Sequence, residues 1–152
     1  MKLHARAVLD DCRDALADLH DKLQGGEWRR RWAAAVGLLR TVGYVLYKVD
    51  AKSSPQLRAA VDAQWAALKK SEPEPAILWG FIEDERNRIV KEYASRAGQG
   101  VTILIGGPEA IYSYRMNEGP FAGRDPRDLV REAIEWWDTC IKEIESEVAT
   151  QG

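Results

Sequence analysis

The sequence predicts a mainly α-helical protein, an up-down bundle of about five helices with one β-hairpin before the C-terminal helix. Three observations predict this fold class. Apolar residues recur at helical spacing over several long segments. Breaks that carry glycine or proline separate those segments. Only residues 101–116 change to short β-branched runs. Because 152 residues can bury a sizeable core, we expect one domain over residues 1–152, with the hairpin inserted at about 99–120.

The first two helices are predicted at residues 3–23 and 27–49, with Gly25 and Gly26 ending the first of them. Gly37 and Gly43 lie inside the second helix, where each costs up to ~1 kcal/mol relative to alanine. We therefore expect another helix to approach closely at both glycines. The apolar positions are Leu3, Ala7, Val8, Ala15, Leu16, Leu19 and Leu23 in the first helix, and Trp28, Trp32, Ala35, Val36, Leu39, Val42, Leu46 and Val49 in the second.

The next two helices have clear boundaries. Ser54 followed by Pro55 is typical of a helix N-terminus, and the third helix is predicted to end near residue 70. Two prolines within residues 71–75 interrupt the chain, and a fourth helix is predicted at 76–95. The third helix carries its apolar residues at Leu57, Val61, Trp65 and Leu68.

The hairpin strands are predicted at residues 101–105 and 111–116, and Gly106 and Gly107 lie in the turn between them. These glycines form no phosphate-loop motif, so a plain turn is favoured. Asp125 and Pro126 predict the start of a last helix that runs to about residue 148. Its apolar face comprises Leu129, Val130, Ala133, Ile134, Trp137, Ile141, Ile144 and Val148, with Trp136 half exposed at the border.

Composition excludes several classes of function. A net charge of −2 provides no global basic field, and the arginines at 29–31 favour a solvated face over a phosphate site. Cys12 and Cys140 are isolated and are expected to be reduced. His4 and His20 are sixteen positions apart on one helix, so we expect no metal site and no cofactor. No long apolar segment is present, so we expect a soluble cytoplasmic protein without a membrane anchor.

The fourth helix carries the densest run of ionisable residues, at 81–93. On it, Glu85 falls on an apolar stripe with Leu78, Ile82, Ile89 and Tyr93. A carboxylate in that position requires a partner, because burying it alone costs several kcal/mol. We expect a polar core in which Glu85 meets Arg40, Tyr44 or Tyr47 of the second helix.

Arg86, Asn87, Arg88, Lys91 and Tyr93 are the candidate binding residues on the rest of that helix. The segment Arg86-Asn87-Arg88-Ile89-Val90-Lys91-Glu92-Tyr93 resembles the motif of HEPN domains, especially the toxins of MNT–HEPN toxin–antitoxin pairs. Those proteins carry Arg-Asn, three residues, histidine, one residue and tyrosine on a late helix of an all-helical bundle. The resemblance implies a metal-independent ribonuclease that acts as a dimer, with arginine and histidine from both subunits around the scissile phosphate.

Arg86, Asn87 and Tyr93 match this motif, whereas Lys91 stands in place of the histidine. Cleavage of RNA through its 2′-hydroxyl requires an acid–base group with a pKa near the working pH. Lysine ordinarily titrates about four units above histidine. Lys91 would therefore need a dry site beside Arg86 and Arg88 that lowers its pKa by roughly three units. The substitution favours a binding or relic surface over an active site.

Three functions remain open from the sequence. The favoured one is a non-enzymatic helical module, related to HEPN domains but degenerate, that acts by forming a homodimer or by binding a protein or RNA partner. The second is an RNA-directed nuclease or toxin that uses Arg86, Arg88, Lys91 and Tyr93 as its catalytic candidates. The third is a small-ligand protein with a pocket between the bundle and the hairpin, lined by Trp79, Tyr112, Tyr114 and Phe121.

Overall fold

The computed structural model describes residues 2–103 and 110–151, with the backbone alone for residues 101–103 and 110–112. It confirms the predicted fold class, since these residues form five α-helices and a two-stranded antiparallel hairpin before the last helix. In chain order the elements are α1 (His4–Ala17), α2 (Gly25–Lys48), a 3₁₀ turn (Asp50–Lys52), α3 (Pro55–Ser71), a π-helical segment (Ile77–Glu83), α4 (Asp84–Glu92), β1 (Ala97–Ile103), β2 (Ala110–Met116) and α5 (Pro126–Thr150).

Helices α2 and α5 form the centre of the bundle. Both pack against α1 and α3, as well as against each other. Every predicted apolar position of α2 from Trp28 to Leu46 is buried, and only Val49 at its end is exposed. The predicted stripe of α5 is likewise buried from Leu129 to Ile144. Long stripes with 3.6-residue periodicity thus predict the buried faces of the two central helices correctly.

Helix α1 differs from its prediction in length and in rotation. It ends at Ala17, and the turn that follows returns Leu19 and Leu23 to the core. Its buried face contains Leu9 and Cys12, whereas Ala7 is exposed.

The start of α1 is tied to a residue outside the helix. Asp50, which is 2% exposed, accepts hydrogen bonds from the backbone nitrogens of His4 (2.8 Å) and Ala5 (2.9 Å). This carboxylate, on the 3₁₀ turn, therefore satisfies amides of the first turn of α1 that have no partner within the helix.

The boundaries of the next helices are corrected as well. Gly25, with a φ of 55°, begins α2 and does not end α1. Helix α3 begins as predicted, because Ser54 Oγ accepts a hydrogen bond from the Leu57 nitrogen at 3.0 Å. The fourth helix is divided into a π-helical segment and α4, and it ends at Glu92 and not at 95. Tyr93 adopts the left-handed conformation, with a φ of 50°, and this reverses the chain.

The hairpin is longer at its start than the sequence indicates. Strand β1 begins at Ala97, since residues 97–100 pair with residues 113–116. The sequence does not predict this start of the strand, because Gly98 and Gly100 lie in it and glycine is depleted in strands. The predicted strand end at 104–105 and the turn glycines Gly106 and Gly107 lie outside the described residues.

Tyr114 attaches the hairpin to the bundle. Its ring stacks on Trp28 with centroids 4.1 Å apart, and its hydroxyl donates a hydrogen bond to the carbonyl oxygen of Leu23. An isolated hairpin is only marginally stable in water. This hairpin packs against the first turn of α2 and the end of the turn after α1.

Candidate functional site

The inner side of α4 carries Glu85, which is completely buried. Its Oε1 atom accepts hydrogen bonds from Trp32 Nε1 at 3.2 Å, Ser95 Oγ at 2.6 Å and the Arg96 backbone nitrogen at 3.2 Å. Its Oε2 atom lies 3.7 Å from Nε of Arg96, whose side chain is 5% exposed. Glu85 is thus one half of a buried ion pair with charge-assisted hydrogen bonds.

The predicted partners of Glu85 were wrong. Arg40 places its Nε 2.8 Å from Oε1 of Glu83, while Tyr44 and Tyr47 are 56% and 38% exposed. The actual partner, Arg96, follows the helix in sequence and returns to Glu85 because the left-handed Tyr93 reverses the chain. A helix predicted to continue to residue 95 could not reveal this contact.

Arg96 makes Glu85 part of a structural connection between elements. Its guanidinium also pairs with Asp84 and donates to the carbonyl oxygen of Gly80 at 3.3 Å. The network therefore joins the π-helical segment, α4 and the start of β1. Glu85 Oε2 and Arg96 Nε make no hydrogen bond, but the two buried groups pair with each other as ions. The ion pairs and the other hydrogen bonds of the network give it a structural role.

The outer side of α4 carries the residues that match the HEPN motif. Arg86 Nη1 donates to Oδ1 of Asn87 at 3.1 Å. Arg88 turns towards acidic side chains, with Nη1 3.3 Å from Glu118 Oε1 and Nε 3.7 Å from Asp84 Oδ2. Lys91 is exposed to solvent, so the dry site that acid–base catalysis requires of it is not formed within this chain.

Tyr93 lies next to Arg29, a contact that the sequence does not predict. Its ring is 60% exposed, and the guanidinium carbon of Arg29 lies 5.8 Å from the ring centroid. Both residues border a hollow of about 170 Å³ with Trp28 and Ile89. Arg31 of the same arginine run donates to the carbonyl oxygen of Asp18 at 3.0 Å. The arginine run therefore serves two places, because Arg31 contacts the end of α1 while Arg29 lies beside Tyr93 and Ile89.

We define the α2–α4 face by the residues that flank the groove between these helices. On α2, residues 29, 33, 37, 40 and 44 follow at three- or four-residue spacing and so share one side, about 22 Å long at 1.5 Å per residue. The Arg40–Glu83 pair and the shared hollow at Ala33 and Ile89 place the fourth helix along that side. The face comprises Arg29, Ala33, Gly37, Arg40 and Tyr44 from α2, and Arg86, Val90 and Tyr93 beside them.

The described residues of the predicted ligand pocket each pack on a different aromatic partner. Tyr114 packs on Trp28, Trp79 lies 5.7 Å from Trp65, and Phe121 lies 6.4 Å from Phe81, measured between ring centroids. The side chain of Tyr112 lies outside the described residues. A separate cleft of about 240 Å³ opens between α2, α3, the π-helical segment and α5.

The remaining candidates for chemistry have structural roles. Cys12 and Cys140 are buried and free, and burial raises the pKa of each thiol to about 12. His4 Nδ1 lies 3.0 Å from Oδ1 of Asp50, and His20 Nδ1 accepts a hydrogen bond from the Lys22 nitrogen at 3.3 Å. Within the described residues no three His, Cys, Asp or Glu side chains cluster in a way that could hold a metal ion. None of the described helices combines the length and apolar character needed to cross a membrane.

Comparison with known proteins gives no match to a protein-family model, to a curated protein or to a solved structure.

Proposed function

We propose that this chain is a non-enzymatic, cytoplasmic helical module that forms a homodimer, and that the α2–α4 face is the contact between the two copies. The proposal keeps the dimer that the HEPN resemblance implies and gives up the ribonuclease. The observation that carries it is the environment of Gly37.

Gly37 differs from the other glycine inside α2. A Cβ atom built on Gly43 would lie 2.7 Å from Cη2 of Trp137, so the neighbouring helix α5 requires glycine there. A Cβ atom built on Gly37 would meet nothing within 4 Å. Glycine inside a helix costs roughly 1 kcal/mol relative to alanine, and no described contact within the chain offsets that cost at Gly37. A second helix crossing from outside the chain would account for it.

The neighbours of Gly37 suit such a crossing. Ala33 is small and lies one turn before it, and small residues allow two helix backbones to approach closely. Val90 and Tyr93, which are 64% and 60% exposed, add apolar area beside the groove.

A two-fold axis at Gly37 also arranges the charges favourably. In an antiparallel crossing of α2 with its copy, positions before Gly37 face positions an equal distance after it. Arg29 and Arg30 of one protomer then lie near Tyr44 of its partner, and the arginines of the two copies are kept apart. Guanidinium groups bind favourably to aromatic faces, so the two ends of the contact are complementary.

Catalysis is less well supported by the same geometry. Arg88 is paired with Glu118 and Asp84, and Arg86 with Asn87, so two of the proposed catalytic cations are already engaged. RNA binding has one observation in its favour, the adjacent Arg29 and Tyr93, since ring stacking and a basic side chain together suit single strands.

Light scattering coupled to size exclusion at tens of micromolar tests the dimer. We expect wild type at twice the mass of one chain, and Gly37→Leu at the mass of one chain with its helical content unchanged. The matched control is Ala63→Leu, which adds similar bulk to an exposed position of α3 and should remain dimeric. A wild-type monomer at these concentrations would overturn the proposal.

The nuclease alternative needs its own assay. Structured RNA is incubated with wild type and with Arg86→Ala, and the two cleavage rates are compared. We expect equal background rates. A rate that falls at least tenfold on the Arg86→Ala change would replace the non-enzymatic proposal with the nuclease.

A further inference from the structure

The cleft between α2, α3, the π-helical segment and α5 has walls that are mostly apolar and aromatic. They are formed by Tyr44, Tyr47, Trp65, Leu68, Leu78 and Trp137. Its volume of about 240 Å³ is slightly below the usual range for drug-sized ligands, which is 300 to 1,000 Å³. The space therefore suits a small molecule with one or two rings.

Two of these walls are held in place by contacts outside the cleft. Trp137 donates its Nε1 proton to the carbonyl oxygen of Leu39 at 2.8 Å, and its ring lies directly against Gly43. Trp65 lies beside Trp79, with ring centroids 5.7 Å apart. A cavity with fixed aromatic walls binds a flat ligand without the cost of ordering its own side chains.

The charges at the rim are unbalanced. Arg40 is neutralised by Glu83, whose Oε1 lies 2.8 Å from its Nε. Lys48 and Lys69 have no carboxylate partner among the described residues. Their ammonium nitrogens instead lie over aromatic rings, 5.1 Å from the centroid of Tyr47 and 5.8 Å from that of Trp65. Of these two lysines, Lys48 lines the cleft itself, and Lys69 lies beside the lining residue Trp65. The cleft thus combines apolar walls with the positive charge of Lys48, which no carboxylate among the described residues pairs.

We propose that this cleft binds a small aromatic carboxylate, with its ring between Tyr47 and Trp65 and its carboxylate at Lys48. A charged group at the rim remains partly hydrated, so the ammonium provides attraction without a large desolvation cost. The flat ring replaces water on aromatic surfaces that are already in place. This inference does not rest on the homodimer, although Arg40 and Tyr44 belong to both the cleft and the α2–α4 face. It concerns a site other than the predicted pocket beside the hairpin.

The test uses 2-naphthoate as the probe and the uncharged 2-naphthamide as its matched comparison, each titrated into the full chain by calorimetry at low salt. We expect saturable binding at one site per chain, with 2-naphthoate at least fivefold tighter. Raising the salt concentration should reduce this difference, because the rim charges are exposed. The absence of saturable binding, or equal affinities for both probes, would overturn the proposal.

Variants then locate the site. Lys48→Gln should remove the preference for 2-naphthoate while the binding of 2-naphthamide is retained, and Leu68→Trp should fill the cleft and weaken both at least tenfold. Lys22→Gln, an exposed lysine in the turn after α1, is the control and should leave both affinities unchanged. Thermal melting verifies that each variant is folded. An unchanged preference in Lys48→Gln would contradict the assignment. Because none of these positions belongs to the α2–α4 face, a failed dimer test and a failed binding test remain distinguishable.

Discussion

The inner and outer sides of the α2–α4 pair use similar residues for opposite purposes. On the inner side Glu85 is fully buried and accepts three hydrogen bonds, and Gly43 admits the ring of Trp137. On the outer side Arg86 is half-buried and Lys91 is exposed, and Gly37 has open space where a side chain would be. A charged residue or a glycine in this helix pair therefore has no structural role that its position in the helix alone determines. Its role follows from what the rest of the chain brings to it.

The largest expected effect is at Glu85. Replacement by alanine leaves the buried Trp32 Nε1 and the buried guanidinium of Arg96 with fewer partners, and the exposed Ser95 loses the acceptor of its hydroxyl. Breaking one half of a buried ion pair costs about 3–5 kcal/mol. We expect Glu85→Ala to lower the free energy of unfolding by that amount in urea denaturation.

The control for Glu85→Ala is Glu92→Ala, because Glu92 is an exposed residue of the same helix. Substitutions of this kind usually stay within about 0.5 kcal/mol. A loss at Glu85 no larger than that at Glu92 would show that the inner network does not stabilise the fold.

The next effect separates the two glycines. Gly43→Ala places a methyl group 2.7 Å from Cη2 of Trp137, whose ring is held by its hydrogen bond to Leu39. Overpacking of this kind typically costs about 1–3 kcal/mol. We expect a lower unfolding midpoint in Gly43→Ala. An unchanged midpoint would mean that Trp137 moves aside freely.

Gly37→Ala should act in the opposite direction. Because its Cβ meets nothing within 4 Å, the change adds helix propensity without a clash and should stabilise the protomer by up to about 1 kcal/mol. Urea titrations at dilution below the dimer dissociation constant measure that gain. The dimer of the same variant should dissociate at a higher protein concentration than the wild-type dimer does. A destabilised protomer would show that Gly37 is required within the chain.

The smallest effect is expected at Arg86 and Lys91. Alanine at either position should change the free energy of unfolding by less than about 0.5 kcal/mol, since surface substitutions outside networks rarely do more. Thermal melts of both variants beside wild type test this. A loss above 1 kcal/mol at Lys91 would place that residue in the architecture and end the distinction between the two sides.

Sequence reasoning succeeded where the determining interactions are local. The stripes of α2 and α5, and the caps at Ser54 and Asp125, follow from spacing and from residues within one turn. These features depend on residues within a single helix, so the spacing of residues along that helix predicts them.

It failed where a partner arrives from elsewhere in the chain. Asp50 binds the first amides of α1 from a distant 3₁₀ turn, and Arg96 reaches Glu85 after Tyr93 reverses the backbone. Gly37 and Gly43 have the same local context, so their different roles appear only in three dimensions. Arg29 was missed as a neighbour of Tyr93 for the same reason.

The Asp50 cap also has a kinetic consequence. The first helix of the chain receives its N-terminal hydrogen bonds from a residue that follows α2, so α1 is complete only once α2 and the 3₁₀ turn are in place. A segment that ends before Asp50 therefore lacks the group that accepts these hydrogen bonds. The amide protons of His4 and Ala5 should be protected from exchange with solvent only while Asp50 is in place. Their exchange rates therefore report how often this contact opens.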